Sequence, residues 1–287
     1  MARRHVLMLS AALVAGCATN PVTGKSQLSL ISESQEIQMG REAAQQTLQQ
    51  IGEVKDPALQ AYVSRIGKEI AARTERPQLP WEFHVVDDAS VNAFALPGGF
   101  IFVTRGLMTY MNNEAELATV LGHEIGHVTN RHSVSQISKA QVAQLGLGIG
   151  SILSPTVAKY GQLAGAGLSI LFLQYSRDAE NEADLAGFRY ALNDNYDVRQ
   201  MSNVFQTLDR LDEATGGQGK LPNWLSTHPA PANRIANTQA RLDTLHKSLA
   251  NARVNRDGYL QQINGLVFGE DPRQGAERVP PSGRTPG

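Results

Sequence analysis

A chain of 287 residues is long enough for one large domain or two small ones, and for a sizeable buried core. Its hydrophobic fraction of 41% and charged fraction of 18% are those of an ordinary globular protein. The formal net charge of −1 gives no electrostatic sign of a nucleic-acid partner, and the single cysteine excludes an intrachain disulfide.

The N-terminus has the features of a secretion signal. Residues 1–5 are basic, residues 6–15 are apolar but too few to span a bilayer, and small residues precede Cys17. This pattern resembles a bacterial lipoprotein signal peptide, which implies cleavage after residue 16 and lipid attachment to Cys17. A plain secretory signal with an incidental cysteine is the alternative. By the same resemblance, Ala18 favours the outer membrane of a Gram-negative envelope.

The next part of the chain is predicted to be a tether followed by two helices. Residues 17–30 are rich in turn formers and are interpreted as a lipid-anchored tether. Ser32 and Gln35 predict a capping box at the start of a polar helix. Asp56 and Pro57 predict the start of the following helix, in which apolar residues recur at helical spacing.

A small sheet is predicted next. Residues 81–86 alternate between polar and apolar side chains and predict a strand, in which His84 is interpreted as a structural histidine. Two β-rich runs flank Pro-Gly-Gly at residues 97–99, which predicts a hairpin or a bulged turn. A peptide substrate could lie along an exposed edge of this sheet as an added strand, or the hairpin could serve only to build the sheet. The predicted substrate edge consists of Asn92, Ala93, Phe94 and Ala95.

The following segment contains H-E-x-x-H, the sequence pattern of a zinc peptidase helix. His123 and His127 lie about 40° apart on the helical wheel, so their imidazoles can bind the same ion. Glu124 beside them can accept a proton from a water molecule that the metal activates. Asn112 or Asn113 is predicted to cap this helix. A surface helix that carries two histidines by chance is the alternative.

The same helical wheel places small residues on one side of the helix, among them Gly122 and Gly126. A glycine costs about 1 kcal/mol relative to alanine in a helix interior, so the pair predicts that a second helix packs very close. We expect that helix to supply the remaining metal ligand. His132 falls about 140° from His127, off the metal face, and is predicted to be solvated or to lie in a C-terminal turn.

Residues 142–173 are apolar and rich in glycine, and Pro155 interrupts them. The longest uncharged piece, residues 160–175, is shorter than the roughly 20 residues that a membrane span requires. Two helices packed over the active site are the favoured interpretation, and a hairpin that dips into the membrane is the alternative.

A second helix follows, with Glu180 and Asp184 one turn apart. Catalytic zinc takes three protein ligands and keeps one position for water, so Glu180 is the predicted third ligand of a single zinc ion. Asp184 can accept the free N–H of a ligand histidine. Glu182 is the rival ligand, but it lies about 200° from Glu180 on the wheel and cannot share its face.

Together, H-E-x-x-H at residues 123–127 and E-x-x-A-D at residues 180–184 resemble the gluzincin family of zinc metallopeptidases that includes HtpX, BepA and the CAAX prenyl protease. Residues 20–24 and 92–99 are also similar to its periplasmic lipoprotein branch, so the resemblance covers about residues 19–242. It implies a zincin-like domain, one zinc ion and endoproteolysis. The multispan membrane segments of some members are not seen, which disfavours a prenyl-protease role.

His228 precedes a proline in a Ser-x-His-Pro motif that is followed by Arg234, and a motif of this kind also occurs in the family. A histidine beside a rigid proline could reach the metal region. There it could stabilise the oxyanion as a hydrogen-bond donor, or cap the zinc in a resting state. A packing role for His228 is the alternative.

The predicted organisation is a signal peptide at 1–16, a tether at 17–30, a peptidase domain at 31–252, and a small helical appendage with a disordered tail at 253–287. The predicted fold class is α+β: a mostly helical zincin-like domain with a small sheet or hairpin beside the H-E-x-x-H helix.

The predicted function is zinc-dependent endoproteolysis in the bacterial periplasm by a protein anchored through lipid on Cys17, with no nucleic-acid partner. Misfolded or misassembled envelope proteins are the expected substrates, which depends on the predicted location and the family resemblance. Two alternatives remain: a periplasmic chaperone or assembly factor with a largely closed site, and a structural metal-binding lipoprotein. The second requires four ligands, and His228 is the evident fourth.

Overall fold

The computed structural model describes residues 17–144, 175–214, 228 and 233–268. The predicted signal peptide, most of the predicted helices at 142–173 and the predicted disordered tail lie outside these residues. The strands are β1 (Cys17–Thr19), β2 (Ser26–Leu28), β3 (Glu82–Val86), β4 (Ala93–Leu96) and β5 (Phe100–Thr104). The helices are α1 (Glu33–Gln50), α2 (Pro57–Ala71), α3 (Arg105–Tyr110), α4 (Glu114–Thr129), α5 (His132–Gln144), α6 (Arg177–Asn193), α7 (Gln200–Ala214), α8 (Arg234–Asp243) and α9 (Arg256–Gln262).

The larger sheet has the strand order β3-β5-β4. The central strand β5 runs parallel to β3 and antiparallel to β4, with which it forms the predicted hairpin. Gly98 and Gly99 make its turn at φ values of 79° and 106°, which glycine adopts without the strain that a side chain would cause. Strand β4 therefore lies at an edge of this sheet.

Side-chain caps begin the helices where the sequence predicts them. Ser32 and Gln35 form the capping box of α1, and Asp56 accepts hydrogen bonds at the start of α2. Asn113, one of the two predicted candidates, caps α4 by accepting a hydrogen bond of 2.9 Å from the backbone N–H of Glu116. These local signals place the first turn of the H-E-x-x-H helix.

Helix α4 lies at the centre of the domain, and all of its residues are buried. It packs against α2, α6, α7 and the edge strand β4. The main apolar core surrounds it and includes Val63 of α2, Ile101 of β5 and Leu117 of α4. The predicted α+β class, with a small sheet beside this helix, is confirmed.

Helices α4 and α6 touch through their small residues. A Cβ on Gly122 would lie 3.0 Å from the backbone oxygen of Gly187, and one on Gly126 would lie 2.9 Å from that of Ala183. The predicted second helix packed against the two glycines is confirmed. This approach brings the backbone of α6 beside the metal motif of α4.

Part of the predicted tether is folded against the domain. Strands β1 and β2 form an antiparallel hairpin. The side-chain amide of Asn20 donates to the carbonyl of Asn130 at 3.3 Å, and the backbone N–H of Leu30 donates to Ser138 at 2.9 Å. The hairpin therefore rests on the end of α4 and on α5.

The segment predicted to be an appendage contributes to the same core. Tyr259 of α9 is fully buried, and its hydroxyl donates to the carbonyl of Met108 at 2.6 Å. Arg253 donates to Glu114 at the start of α4 over 2.7 Å. Among the described helices, none has the length and apolar character needed to cross a bilayer.

Candidate metal centre

The three predicted metal ligands lie together in the interior. The Nε2 atoms of His123 and His127 are 3.0 Å apart, one turn from each other on α4. Glu180 reaches them from α6, with Oε1 3.4 Å from Nε2 of His127 and Oε2 3.6 Å from Nε2 of His123. The close contact of α4 with α6 thus brings the acid to the two imidazoles.

His228 lies at the same point. Its Nδ1 atom is 2.9 Å from Oε1 of Glu180 and 3.3 Å from Nε2 of His123. One ligand atom from each of His123, His127, Glu180 and His228 lies within 4.8 Å of all the others, and all four residues are buried. Of the two interpretations given for His228, the structure favours the one that places it at the site.

The donor set fits a zinc ion. Zinc–nitrogen bonds of 2.0–2.1 Å in a tetrahedral arrangement place neighbouring ligand nitrogens about 3.3 Å apart, close to the spacings between these imidazoles. Oε2 of Glu180 accepts no hydrogen bond from any described residue, although the carboxylate is buried. A buried carboxylate oxygen without a hydrogen bond is costly. Nη1 of Arg234 lies 3.7 Å from it, beyond hydrogen-bond distance, so a metal ion held by the cluster would supply the direct contact that this guanidinium does not. We therefore assign this cluster as a candidate zinc site.

Glu124 lies beside the cluster without belonging to it. It is fully buried on α4, and its Oε1 atom lies 3.7 Å from Nε2 of His228. The carboxylate can therefore exchange a proton with a molecule bound at the site while remaining screened from bulk water.

A carboxylate and an arginine hold the far side of His123. Oδ1 of Asp184 lies 2.9 Å from Nδ1 of His123. Arg234 donates from Nε to Oδ2 of Asp184 at 2.8 Å and stacks 4.1 Å above the ring of Phe205. Burial alone would raise the pKa of Asp184. The charge of Arg234 and the hydrogen bond with His123 lower it by more, so the net shift of the pKa is downward. Arg234 is thus an orienting residue that the sequence signalled only as part of the His228 motif.

The buried ligands also shift the pKa values of one another. Burial raises the pKa of Glu180, but the charge of His228 and the hydrogen bond with His127 take it well below the ordinary value. Burial lowers the pKa of His127 strongly. Burial also lowers the pKa of His228, but Glu180 and Glu124 raise it more. A negative Glu180 and a neutral His127 are the forms that bind a metal.

The prediction for His132 is wrong. This residue is only 6% exposed, and its Nδ1 atom lies 2.9 Å from Nδ1 of His127. Helix α4 ends at Thr129, and the chain then turns through Arg131 at a φ of +57° before α5 begins. A helical wheel cannot be extended through such a reversal, so the predicted angle does not apply. Glu182 points away from Glu180, as predicted, and contacts His132.

Tyr175 is a site residue that the sequence did not indicate. Its ring stacks on that of His127 with the centroids 3.9 Å apart, and its hydroxyl is 2.8 Å from Oγ of Ser133. It precedes α6 directly, but its position reflects packing between distant segments. Only its proximity in sequence to the Glu180 helix could have drawn attention to it.

The other predicted functional positions lie outside the cluster. Ala93, Phe94 and Ala95 belong to the edge strand β4, and Asn92 precedes it. Cys17 is exposed at the start of β1.

The structural interpretation of His84 agrees with its contacts. Its Nδ1 atom lies 2.7 Å from Glu53, and its ring stacks on Phe102. These contacts hold β3 and are separate from the four-residue cluster.

Comparison with known proteins gives the same assignment. The family model for Peptidase family M48 matches residues 57–242, which include both ligand helices. The chain is 29% identical over 258 residues to the beta-barrel assembly-enhancing protease of Escherichia coli (strain K12), covering 86% of this chain and 52% of that protein. It is 33% identical over 220 residues to the mitochondrial metalloendopeptidase OMA1 of Schizosaccharomyces pombe, covering 75% of this chain and 63% of that protein.

The beta-barrel assembly-enhancing protease of Yersinia pestis is also 29% identical, over 257 residues that make up 83% of this chain and 52% of that protein. The chain therefore spans about half the length of the beta-barrel assembly-enhancing proteases that it matches. The shared part contains the zinc-binding H-E-x-x-H helix and the Glu180 helix. The family model covers well over half of the chain, and the predicted gluzincin resemblance is confirmed. The chain belongs to Peptidase family M48, a family of zinc metallopeptidases.

Proposed function

We propose that this protein is a zinc-dependent endopeptidase of the bacterial cell envelope that degrades misfolded or misassembled envelope proteins. The buried cluster of His123, His127 and Glu180 beside Glu124 carries this proposal, because it combines a metal-binding donor set with a carboxylate able to transfer protons. The similarity to beta-barrel assembly-enhancing proteases supports an envelope substrate.

Each site residue has a distinct role in the proposed reaction. Zinc, when bound by His123, His127 and Glu180, supplies a Lewis acid that activates water and polarises the scissile carbonyl. Glu124 takes the proton of the attacking water and passes it to the leaving amine. Asp184 fixes the ring of His123 through Nδ1.

The substrate is proposed to bind along β4. This strand lies at an edge of its sheet, packs against α4, and so runs close to the metal helix. All four residues of β4 are buried, so the edge would have to be uncovered before a substrate binds. An extended peptide would then receive main-chain hydrogen bonds from the strand, which favours unfolded substrates of varied sequence. The strand positions proposed for this contact are Asn92, Ala93, Phe94 and Ala95.

His228 is proposed to act as a gate or as a donor to the oxyanion. As a gate, its Nδ1 atom would remain beside Glu180 and occupy the position that water and substrate require. As a donor, Nε2 near Glu124 would stabilise the charge that develops on the carbonyl oxygen. The two roles give opposite effects on removal of the imidazole.

The test is cleavage of casein by the protein that starts after Cys17, with bound zinc quantified. Wild type should cleave casein, and Glu124→Gln should bind zinc equally while losing about 10²–10⁴-fold in rate. His228→Ala should cleave faster if His228 is a gate, and more slowly if it supplies an oxyanion donor. Equal cleavage by wild type and Glu124→Gln would overturn the proposed mechanism.

A chaperone or assembly factor with a largely closed site is the second candidate. The position of His228 among the metal donors favours it, because four protein donors leave no place for a substrate. This candidate predicts that Glu124→Gln supports envelope assembly in cells as well as wild type does. It also predicts that zinc-loaded wild type and His228→Ala both leave casein intact.

The cellular location is proposed to be the periplasmic face of the outer membrane. Cys17 would carry the lipid after cleavage of residues 1–16. The peptidase domain, predicted at residues 31–252 and extended here to 268 by the buried segment that contains Tyr259, would then face the periplasm. Labelling with radioactive palmitate should require Cys17 and should be lost in Cys17→Ser. Retention of the label in that variant would exclude lipid attachment at this position.

A further inference from the structure

A line of polar contacts runs from the metal cluster to the N-terminal hairpin. Nδ1 of His127 lies 2.9 Å from Nδ1 of His132, whose Nε2 lies 3.2 Å from Oε2 of Glu182. The other oxygen of Glu182 accepts from Nζ of Lys25 at 3.3 Å. Burial decreases along this line, from His127 in the interior to Lys25, whose side chain is 75% exposed.

The positions of the protons in this line follow from the metal site. Nε2 of His127 faces His123 and Glu180 and must be free of a proton to bind a metal, so its ring proton is on Nδ1. That proton can be donated only if Nδ1 of His132 is an acceptor. His132 then carries its own proton on Nε2 and donates it to Glu182. Each contact therefore has one direction.

We propose that His132 is the positioning residue for the zinc ligand His127, with Glu182 fixing the tautomer of His132. This inference depends on the proposed zinc site. It gives each ligand histidine its own support: Asp184 accepts the outer N–H of His123, and His132 accepts that of His127. Outer partners of this kind set the orientation and basicity of the ligand ring.

Among the described residues, His132 is the acceptor for this N–H. Tyr175 stacks on the face of the His127 ring and supplies packing, while its hydroxyl is occupied with Ser133. Loss of the imidazole at residue 132 would leave a buried N–H without that partner and would free the ring of His127 to rotate. Both effects weaken metal binding more than they weaken the apolar core.

The test is zinc affinity measured by competition with a chelator on the protein that starts after Cys17. His132→Leu removes the acceptor and should bind zinc about 10–100-fold more weakly. His132→Asn keeps a side-chain oxygen near the position of Nδ1 and should recover most of this loss. His84→Leu removes another histidine that is paired with a glutamate, outside the site, and should leave the affinity unchanged. Equal affinity of wild type and His132→Leu would overturn the proposal.

A second readout separates positioning from general stability. In the zinc-loaded protein, long-range proton–nitrogen NMR spectra should show His127 protonated on Nδ1 and His132 protonated on Nε2. The opposite tautomer at His132 would overturn the proposal. If His132→Leu does not fold, Glu182→Met, which changes a partly exposed side chain, should lower zinc affinity severalfold and Lys25→Met should not. Unchanged affinity in Glu182→Met would then overturn it.

These readouts are independent of proteolysis. If wild type binds zinc and shows the expected tautomers but does not cleave casein, the proposed peptidase function fails while the positioning role stands. If wild type cleaves casein and His132→Leu binds zinc and cleaves as well as wild type, the positioning role fails while the peptidase function stands.

Discussion

At the scale of single residues, the site depends on the outer contacts of its ligands as much as on the ligands themselves. His123 meets Asp184, which is bound in turn by Arg234, and all three are buried. The charges of Arg234 and Asp184 balance each other where water cannot screen them. Removing either charge therefore affects both the metal and the fold.

We expect Asp184→Asn to weaken zinc binding about 10–100-fold, because the amide is a weaker acceptor for the N–H of His123. The substitution also removes the nearer of two carboxylates beside the buried Arg234, since Glu180 remains 3.7 Å from Nη1, and should cost up to about 3 kcal/mol in the free energy of unfolding. Chelator competition and urea denaturation measure the two effects. Asp178→Asn is a control at an exposed acid in the first turn of the same helix. Wild-type zinc affinity in Asp184→Asn would refute the role of the carboxylate.

A second buried acid lies at the start of the metal helix. Glu114 accepts hydrogen bonds from Tyr62, Tyr196, Arg253 and Asn255 at distances of 2.6 to 2.9 Å. Burial alone would raise the pKa of Glu114. The four hydrogen bonds lower it by more than burial raises it, so the pKa in the folded protein is below the ordinary value of 4.5. The acid thereby ties α2, α4 and the segment before α9 together.

This shift predicts how stability depends on pH. Because the pKa of Glu114 is lower in the folded state, its contribution is complete above about pH 4.5 and is lost as the pH falls through the folded value. Glu114→Gln should therefore be less stable than wild type by about 2 kcal/mol at pH 7, and the difference should shrink below pH 4.5. Urea denaturation at several pH values measures this, with Glu42→Gln on the exposed face of α1 as the control. A difference that stays constant with pH would contradict the assignment.

At the scale of elements, the site is made by the approach of α4 to α6. A Cβ on Gly187 would lie 2.7 Å from the backbone nitrogen of His123, closer than the 3.0 Å between a Cβ on Gly122 and the backbone of α6. Backbone atoms cannot turn aside as a side chain can. The glycines thus set the distance at which Glu180 meets the two histidines.

We expect Gly187→Ala to destabilise the fold by about 1–3 kcal/mol from overpacking, more than the roughly 1 kcal/mol that alanine gains in helix propensity. It should also reduce the zinc content, because the added methyl group pushes α6 away from α4 and Glu180 moves with α6. Gly122→Ala is the matched comparison and should have the smaller effect. Thermal unfolding and metal analysis measure whether Gly187→Ala lowers stability and zinc content more than Gly122→Ala does. A Gly187→Ala protein more stable than wild type would refute the prediction.

The sequence could predict what regular helices determine. The α-helical repeat of 3.6 residues per turn accounts for three features of the site. These are the spacing of His123 and His127, the opposite directions of Glu180 and Glu182, and the faces of small residues on both helices. His132 could not be predicted in this way, because the chain reverses at Arg131 and the wheel ends there. The approach of Tyr175 to His127 likewise depends on packing between segments that no local pattern relates.

At the scale of the whole molecule, the chain returns to the metal helix after residue 252. Tyr259, Ile263 and Leu266 are buried in the main core, and Arg253 binds Glu114 at the start of α4. The sequence shows that this segment is helical, but the contact of Tyr259 with Met108 joins residues far apart in the chain. Periodicity carries no information about such a contact, so the sequence alone predicts a separate appendage.

The packing of this segment predicts that the peptidase domain does not tolerate an end at residue 252. Burial of three large apolar side chains contributes about 1.5–3 kcal/mol each, and their sum is comparable with the net stability of about 5–15 kcal/mol of a typical domain. A chain that ends at 268 retains these contacts, whereas one that ends at 252 loses them together with two partners of Glu114, Arg253 and Asn255.

We therefore expect the chain that ends at 252 to unfold at a much lower urea concentration than the chain that ends at 268, and to bind zinc poorly because the start of α4 is no longer held. Comparing these two proteins isolates residues 253–268 from those that follow. Tyr259→Phe in the longer chain removes only the hydroxyl. The carbonyl of Met108 then keeps the N–H of Met111 but loses its 2.6 Å bond, which should cost about 0.5–1.5 kcal/mol. Equal unfolding midpoints for the two truncated chains would show that the segment adds nothing to the core, and would support the separate appendage that the sequence predicted.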